Sequence, residues 1–317
     1  MREVAFIKQN KEKWLAVEEV LNKKQKISPD QMADLYIHLL GDLSFSQTYY
    51  PKSNTTIYLN FLVSQIYQKI YKTKRVDKNR FIFFFKEEAP RLVYKHRKII
   101  YFSFILFFFF VFLGVISARY DDEFVRVVLG DYYVNMTLDN IEKGDPMAVY
   151  KSGSTWGSSI GITINNIKVA FWAFLCGVTA GVLTFYIAFS NAVMLGAFQY
   201  FFWEKGVFVE SLRAIWLHGA MEIFSIVIAT AAGFVLTKAI LFPKTYSRIL
   251  SFKIGFKEGL KILLATVPFF VIAGIIEGYV TRLSATMPLW LNLAIIFGTL
   301  SIITYYFLFY PLKFAKK

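Results

Sequence analysis

Apolar positions follow two regimes along this chain. Up to residue 98 they recur at helical spacing among charges, and beyond it they fuse into runs long enough to cross a bilayer. In the first regime Phe6, Ile7, Trp14, Leu15 and Val17 form a broken stripe, with Lys8, Lys11, Glu12, Lys13, Glu18 and Glu19 on the other faces, which predicts a helix. A second helix is predicted to start at Ser28, a natural N-cap, with Pro29 at the first helical position and Gln31 completing a capping box. Its apolar face is Leu35, Leu39 and Leu40; His38 interrupts it as a packing residue with no functional role. After a turn at residues 49–54, Tyr58, Leu59, Phe61, Leu62, Ile66, Ile70 and Tyr71 mark a third helix.

A basic hinge, Lys72, Lys74, Arg75, Lys78 and Arg80, then leads into FIFFFKEEAPRLVYKHRK. Phe81 to Phe85 are too few to span, so the stretch reads as an interfacial helix with Pro90 turning the chain into the membrane; a buried helix of the amino-terminal domain is the alternative. The first span is residues 99–118, preceded by Arg91, Lys95, Arg97 and Lys98, which place the amino-terminal domain in the cytoplasm. Residues 119–164 lean acidic, and Phe124, Val125, Val128, Leu129 and Tyr132 predict an amphipathic helix on the outer face, started by Asp121 to Glu123. Residues 152–161, SGSTWGSSIG, read as a flexible polar loop.

The second span is expected from about Ile164, the fourth over residues 214–241, the fifth over 260–280 with Pro268 kinking it, and the sixth over 289–310. Between the second and fourth, residues 190–203 are apolar but short, a re-entrant half-helix or a thin crossing. Loop charge favours six crossings over five: Lys238, Lys244, Arg248, Lys253, Lys257, Lys313, Lys316 and Lys317 all then face the cytoplasm, and the loop with Glu204, Lys205, Glu210 and Arg213 faces out.

Composition agrees. Of 317 residues 56% are hydrophobic and 19% aromatic, which excludes an ordinary soluble domain. The net charge of +14 would suggest nucleic acid in a soluble chain; here Lys and Arg border apolar runs and report orientation and contact with anionic lipid, so no nucleic-acid partner is expected. The single cysteine, Cys176, closes no intrachain disulfide. The polar amino terminus predicts no cleavable signal, the first span serving as its own. The predicted fold is therefore all-α: a cytoplasmic helical domain with an interfacial helix, 1–98, and a polytopic membrane bundle, 99–317, that includes the extracytoplasmic loop 119–164.

Ionisable residues inside spans are the candidate chemistry, because hydrocarbon penalises them. His218 and Glu222 lie four apart on one face of the fourth span, so their side chains can meet. With six crossings, Glu277 leaves the membrane on the same outer side, and Asn165 and Asn166 enter there; with five, the asparagines move to the opposite side. Three readings stay open: a hydrogen-bond knot that fixes helix packing, a polar pathway for an ion, proton or small solute, and a metal site on His218, Glu222 and Glu277. The last is weakest on ligand chemistry, since HExxH is missing and one histidine with two glutamates is a poor structural zinc set. No catalytic residue, cofactor or metal is expected, and neither GxSxG nor a P-loop occurs. Gly177, Gly181, Gly219 and Gly233 are the candidate helix-packing glycines, the first two spelling GxxxG.

The asparagine pair opening INNIKVAFWAFLCGVTAGVLTFY, then SNAVMLGAF, then HGxxE at His218 to Glu222, then AGIIEG around Glu277 resemble the stage II sporulation protein M family of bacterial membrane proteins. REVAFIKQNKEKWLAVEEVL, SPDQMADLYIHLLGDLSFSQTYYP and YLNFLV are similar to its longer, non-sporulation branch. Two positions depart: Ala192 follows Asn191 where Gly is usual, and Arg282 follows Thr281 where Pro is usual. The resemblance implies a non-enzymatic scaffold or component of a bacterial cell-envelope complex in the inner membrane, both termini cytoplasmic. Its implied partners are the bilayer and other envelope proteins, among them MoxR-type ATPases, RDD-type membrane proteins and von Willebrand A-type proteins; a homo-oligomer is compatible with it. The alternative is a channel or transporter for an ion or small solute that uses the His/Glu cluster. The family motif falls on Asn165, Asn166, His218, Gly219, Glu222 and Glu277, without assigned chemistry.

Overall fold

The structure, a computed structural model, describes residues 2–22, 28–71, 79–148 and 155–315. The hinge residues Lys72, Lys74, Arg75 and Lys78, loop residues 149–154 and the terminal Lys316 and Lys317 lie outside the described residues. Two compact units emerge, residues 1–78 and 79–317.

The amino-terminal unit packs α1 (Glu3–Asn22), α2 (Pro29–Tyr49) and α3 (Asn54–Tyr71) around one small core. Phe6, Trp14 and Val17 meet Leu39 and Leu43 and the buried Leu59, Leu62, Val63 and Ile66. Trp14 Nε1 donates to Asp42 Oδ2 at 2.8 Å, so the one polar atom of that ring is satisfied. The capping box forms as its spacing predicts: Gln31 N donates to Ser28 Oγ and Ser28 N to Gln31 Oε1. His38 is exposed.

The stretch after the hinge falls within the second compact unit, residues 79–317. It consists of α4 (Arg80–Phe83), a π turn (Phe84–Glu88) and α5 (Ala89–Lys95). Phe84, Phe85, Ala89 and Val93 join the core of the bundle, and the Tyr306 and Tyr310 hydroxyls donate to the carbonyls of Phe85 and Lys86. Only Phe81, Ile82 and Phe83 keep the exposed aromatic face of an interfacial helix. Pro90 lies inside a helical stretch that continues unbroken from the π turn into α5, and the chain turns instead at His96.

Six helical segments among the described residues are long and apolar enough to cross a membrane, the number read from the loop charges. After α6 (Arg97–Tyr120) come two short helices, α7 (Asp122–Leu129) and α8 (Asp131–Glu142), with Asp121 capping the first by accepting from Glu123 N. The second and third segments differ from expectation. α9 runs Thr155–Leu175, nine residues earlier than the predicted start at 164, and a 3₁₀ turn at Cys176–Thr179 closes it. Ala180 and Gly181 are left-handed, and α10 then runs Val182–Glu204 as a full-length helix. The third crossing is therefore neither short nor re-entrant.

α11 (Phe208–Leu241) is the axis, packed against α6, α9, α10, α12 (Arg248–Ile275) and α13 (Leu289–Thr304). Small residues let it sit so deep. Gly233 touches the backbone at Ala173, and Gly259 leaves room for Phe174 and the Ala232 carbonyl. Val227, Ile228, Ala229, Ala231 and Ala232 are wholly buried. α12 holds Pro268 in its interior and passes at its end into a π turn, Ile276–Val280, and a 3₁₀ turn, Thr281–Leu283.

Candidate functional site

The polar residues converge at the end of the bundle where α10 turns into α11. A cavity of about 450 Å³ opens there, with Asn165 and Asn166 from α9, Asn191 from α10, His218 and Glu222 from α11, and Glu277 from the π turn after α12 among its lining. Each element places its residue for a local reason. The one-turn spacing of His218 and Glu222 puts both on the cavity side of α11. The wider π turn brings Glu277 and Thr281, also four apart, to face them.

His218 and Glu222 each answer to another helix. His218 Nδ1 lies 3.1 Å from Thr281 Oγ1, while its Nε2 faces Glu277 Oε1 at 3.8 Å. Asn166 Nδ2 donates to Glu222 Oε1 at 2.6 Å. Donor atoms of His218, Glu222 and Glu277 all fall within 4.8 Å of one another. Glu277 Oε2 is fully buried with no hydrogen-bond partner, which is costly for a carboxylate oxygen in a low-dielectric setting. Asn165 lines the same cavity from an exposed position. Tyr133 of α8, outside the spans, lines it too; burial pushes its phenol up to about 12, so it remains a neutral hydroxyl.

Two residues of this neighbourhood escape the sequence reading. Thr281 has its signal in the Glu277-to-Thr281 spacing, which mirrors that of His218 and Glu222. Asn191 donates to Ile187 O at 2.8 Å and lines the cavity from the interior of α10, where the sequence places only the start of a short segment at residue 190.

The four glycines divide. A Cβ on Gly177 would meet the Gly233 backbone and one on Gly233 the Ala173 carbonyl, so both sit at close helix contacts. Gly181 is not on a helix face: with φ +85° it makes the tight turn between α9 and α10, a conformation that L side chains rarely adopt, so GxxxG here is turn chemistry. Gly219 has only side chains of its own helix near its missing Cβ, Ile215 and Ile223, and lines the cavity instead of touching a neighbouring helix.

A family model described as Stage II sporulation protein M matches residues 103–282, more than half of the chain and every residue of the polar cluster. The chain belongs to the stage II sporulation protein M family. A second model, described as a domain of unknown function (DUF8413), matches residues 4–72 and so coincides with the three-helix unit. No curated protein and no solved structure matches. In this SpoIIM-family chain the matched region begins inside α6 and ends at Arg282, directly after Thr281.

Proposed function

We propose that this SpoIIM-family protein is a non-enzymatic scaffold of a bacterial cell-envelope complex, held in the inner membrane with both termini in the cytoplasm. The observation that supports this reading best is the sealed half of the bundle beyond the cavity. From Val227 to Leu236 the central helix is wrapped by α9, α10 and α12, with backbone-close contacts at Gly177, Gly233 and Gly259. Packing of that density fixes helices in one register. It suits a part that anchors other proteins, and the three-helix unit offers them a separate folded domain.

A second reading is favoured by the polar cavity itself: a carrier for an ion or small solute whose first station is the His/Glu cluster, with a rearrangement needed to open the sealed half. Proteoliposomes containing the full chain separate the two. The scaffold reading expects proton and potassium flux equal to empty liposomes. It also expects His218→Ala and Glu222→Gln to lower melting temperature and recovery of membrane partners together. Variants that stay folded and partner-bound yet abolish a measurable flux of the parent protein would overturn it.

A further inference from the structure

We propose that His218, Glu222 and Glu277 form a binding site for one divalent transition-metal cation, of the zinc class. Three features of the cluster point to a cation, and none depends on how the protein functions as a whole.

The first is the disposition of His218. His218 Nδ1 lies 3.1 Å from Thr281 Oγ1, whose hydroxyl can donate to the Ile276 carbonyl at 3.4 Å. With the ring proton on Nδ1, Nε2 faces the Glu277 carboxylate, 3.8 Å away, as a ligand atom. In that tautomer the two electron-rich atoms need a positive charge between them, a proton or a metal ion, and a metal ion also serves Glu222. A hydrogen-bond acceptor that fixes the ring through its other nitrogen is the usual support of a metal-bound histidine, and the Thr281 oxygen is placed to serve as one.

The second is Glu277 Oε2, buried, without a hydrogen-bond partner, in a cluster where Glu222 is already oriented by Asn166. A divalent ion satisfies that oxygen and balances both carboxylates at once, which a water molecule does not.

The third is spacing. Metal–ligand bonds of about 2.0–2.2 Å place tetrahedral ligands roughly 3.4 Å apart. The three donor atoms already lie within 4.8 Å of one another, a closure that side-chain rotation on α11 and the π turn supplies. One imidazole nitrogen beside two carboxylates is too small a set for a closed structural zinc, but as an open three-ligand site it favours zinc and its neighbours over magnesium or calcium, which prefer oxygen alone. Three protein ligands also leave a coordination position open to the cavity.

The test is metal analysis of full-length protein purified in detergent, followed by chelator stripping and titration with Zn²⁺ and with Co²⁺ as a coloured substitute. Expected are one equivalent of zinc per chain, a visible ligand-field spectrum with cobalt, and loss of both in Glu277→Gln. Thr281→Val, which leaves all three ligands in place, is expected to weaken zinc binding about 10- to 100-fold. His218→Ala is the harsher variant and is read only where the protein still elutes as the folded species. Failure of folded parent protein to bind stoichiometric zinc or cobalt would overturn the proposal, as would equal binding by parent and Glu277→Gln.

Discussion

Gly177 and Gly233 meet backbone to backbone: a Cβ built on Gly177 would collide with the Gly233 carbonyl oxygen, with Gly233 Cα only 3.2 Å away. Neither backbone can yield without moving a whole helix. A Cβ on Gly233 would in turn collide with the Ala173 carbonyl oxygen and the Thr184 side chain, so Gly233→Val is expected to lower bundle stability by about 1–3 kcal/mol, the usual cost of overpacking. Gly298→Ala serves as the control, since nothing lies within 4 Å of its missing Cβ. Thermal unfolding in detergent should show a fall in Tm for the first and no fall for the second.

At the opposite end from the cavity, Glu258 of α12 accepts from His96 Nε2 at 2.7 Å and from Lys95 Nζ at 2.5 Å. The partners are unequal, for His96 is 9% exposed and Lys95 56%. Removing the carboxylate strands a buried imidazole, whereas removing the lysine leaves water to replace it. Glu258→Ala should cost about 1–3 kcal/mol and Lys95→Ala no more than about 1 kcal/mol, ranked by the same melting measurement.

The proposed orientation, six crossings with both termini cytoplasmic, specifies which turns reach the outside. In a background with Cys176→Ala, cysteine at Gly206, in the α10–α11 turn, should react with a membrane-impermeant maleimide added to intact cells. Cysteine at Ser247, between α11 and α12, should react only after the cells are opened. Labelling at Ser247 in intact cells would reverse the assigned orientation.

Acid should loosen the start of the amino-terminal unit. Hydroxyls of Ser53 and Thr55 donate to the Glu3 carboxylate and hold its pKa below the ordinary carboxylate value. The folded-state pKa is depressed, so this contribution is complete above the unfolded-state value, near pH 4.3, and is lost as pH falls through the folded-state value. Hydrogen exchange of α1 amides should be faster in Glu3→Gln than in the parent at neutral pH. The difference should vanish at about pH 2.

Span number, the capping box at Ser28 and the stripe of Phe6, Trp14 and Val17 were legible because each is a local pattern. The turn between α9 and α10 was not. Its residues CGVTAG are as apolar or small as the helices they join, so hydropathy runs through them unbroken. Polar-looking residues misled in the other direction: Ser159 belongs to a helix because its hydroxyl donates to Gly274 O at 2.7 Å, and Thr163 fills the space that Gly274 leaves open. For the site, the order of spans was enough to bring Glu277 to the same end as His218, and loop charge brought Asn165 and Asn166 there, but the π turn that aims Glu277 has no sequence signature. Nothing in spacing alone could show that His218 is held by Thr281, 63 positions away.

The depth of α11 also sets the order in which the protein can be made. Of the five helices packed against it, α6, α9 and α10 precede it in the chain and α12 and α13 follow it, so when it enters the bilayer only the first three can cover it. The face that later meets α12 and α13, together with His218, must wait in lipid or beside the insertion machinery until Glu277 and Thr281 arrive. Closure of the polar cluster is thus a late event of biogenesis, and a chain stopped before residue 277 exposes its central helix to whatever membrane chaperone attends it.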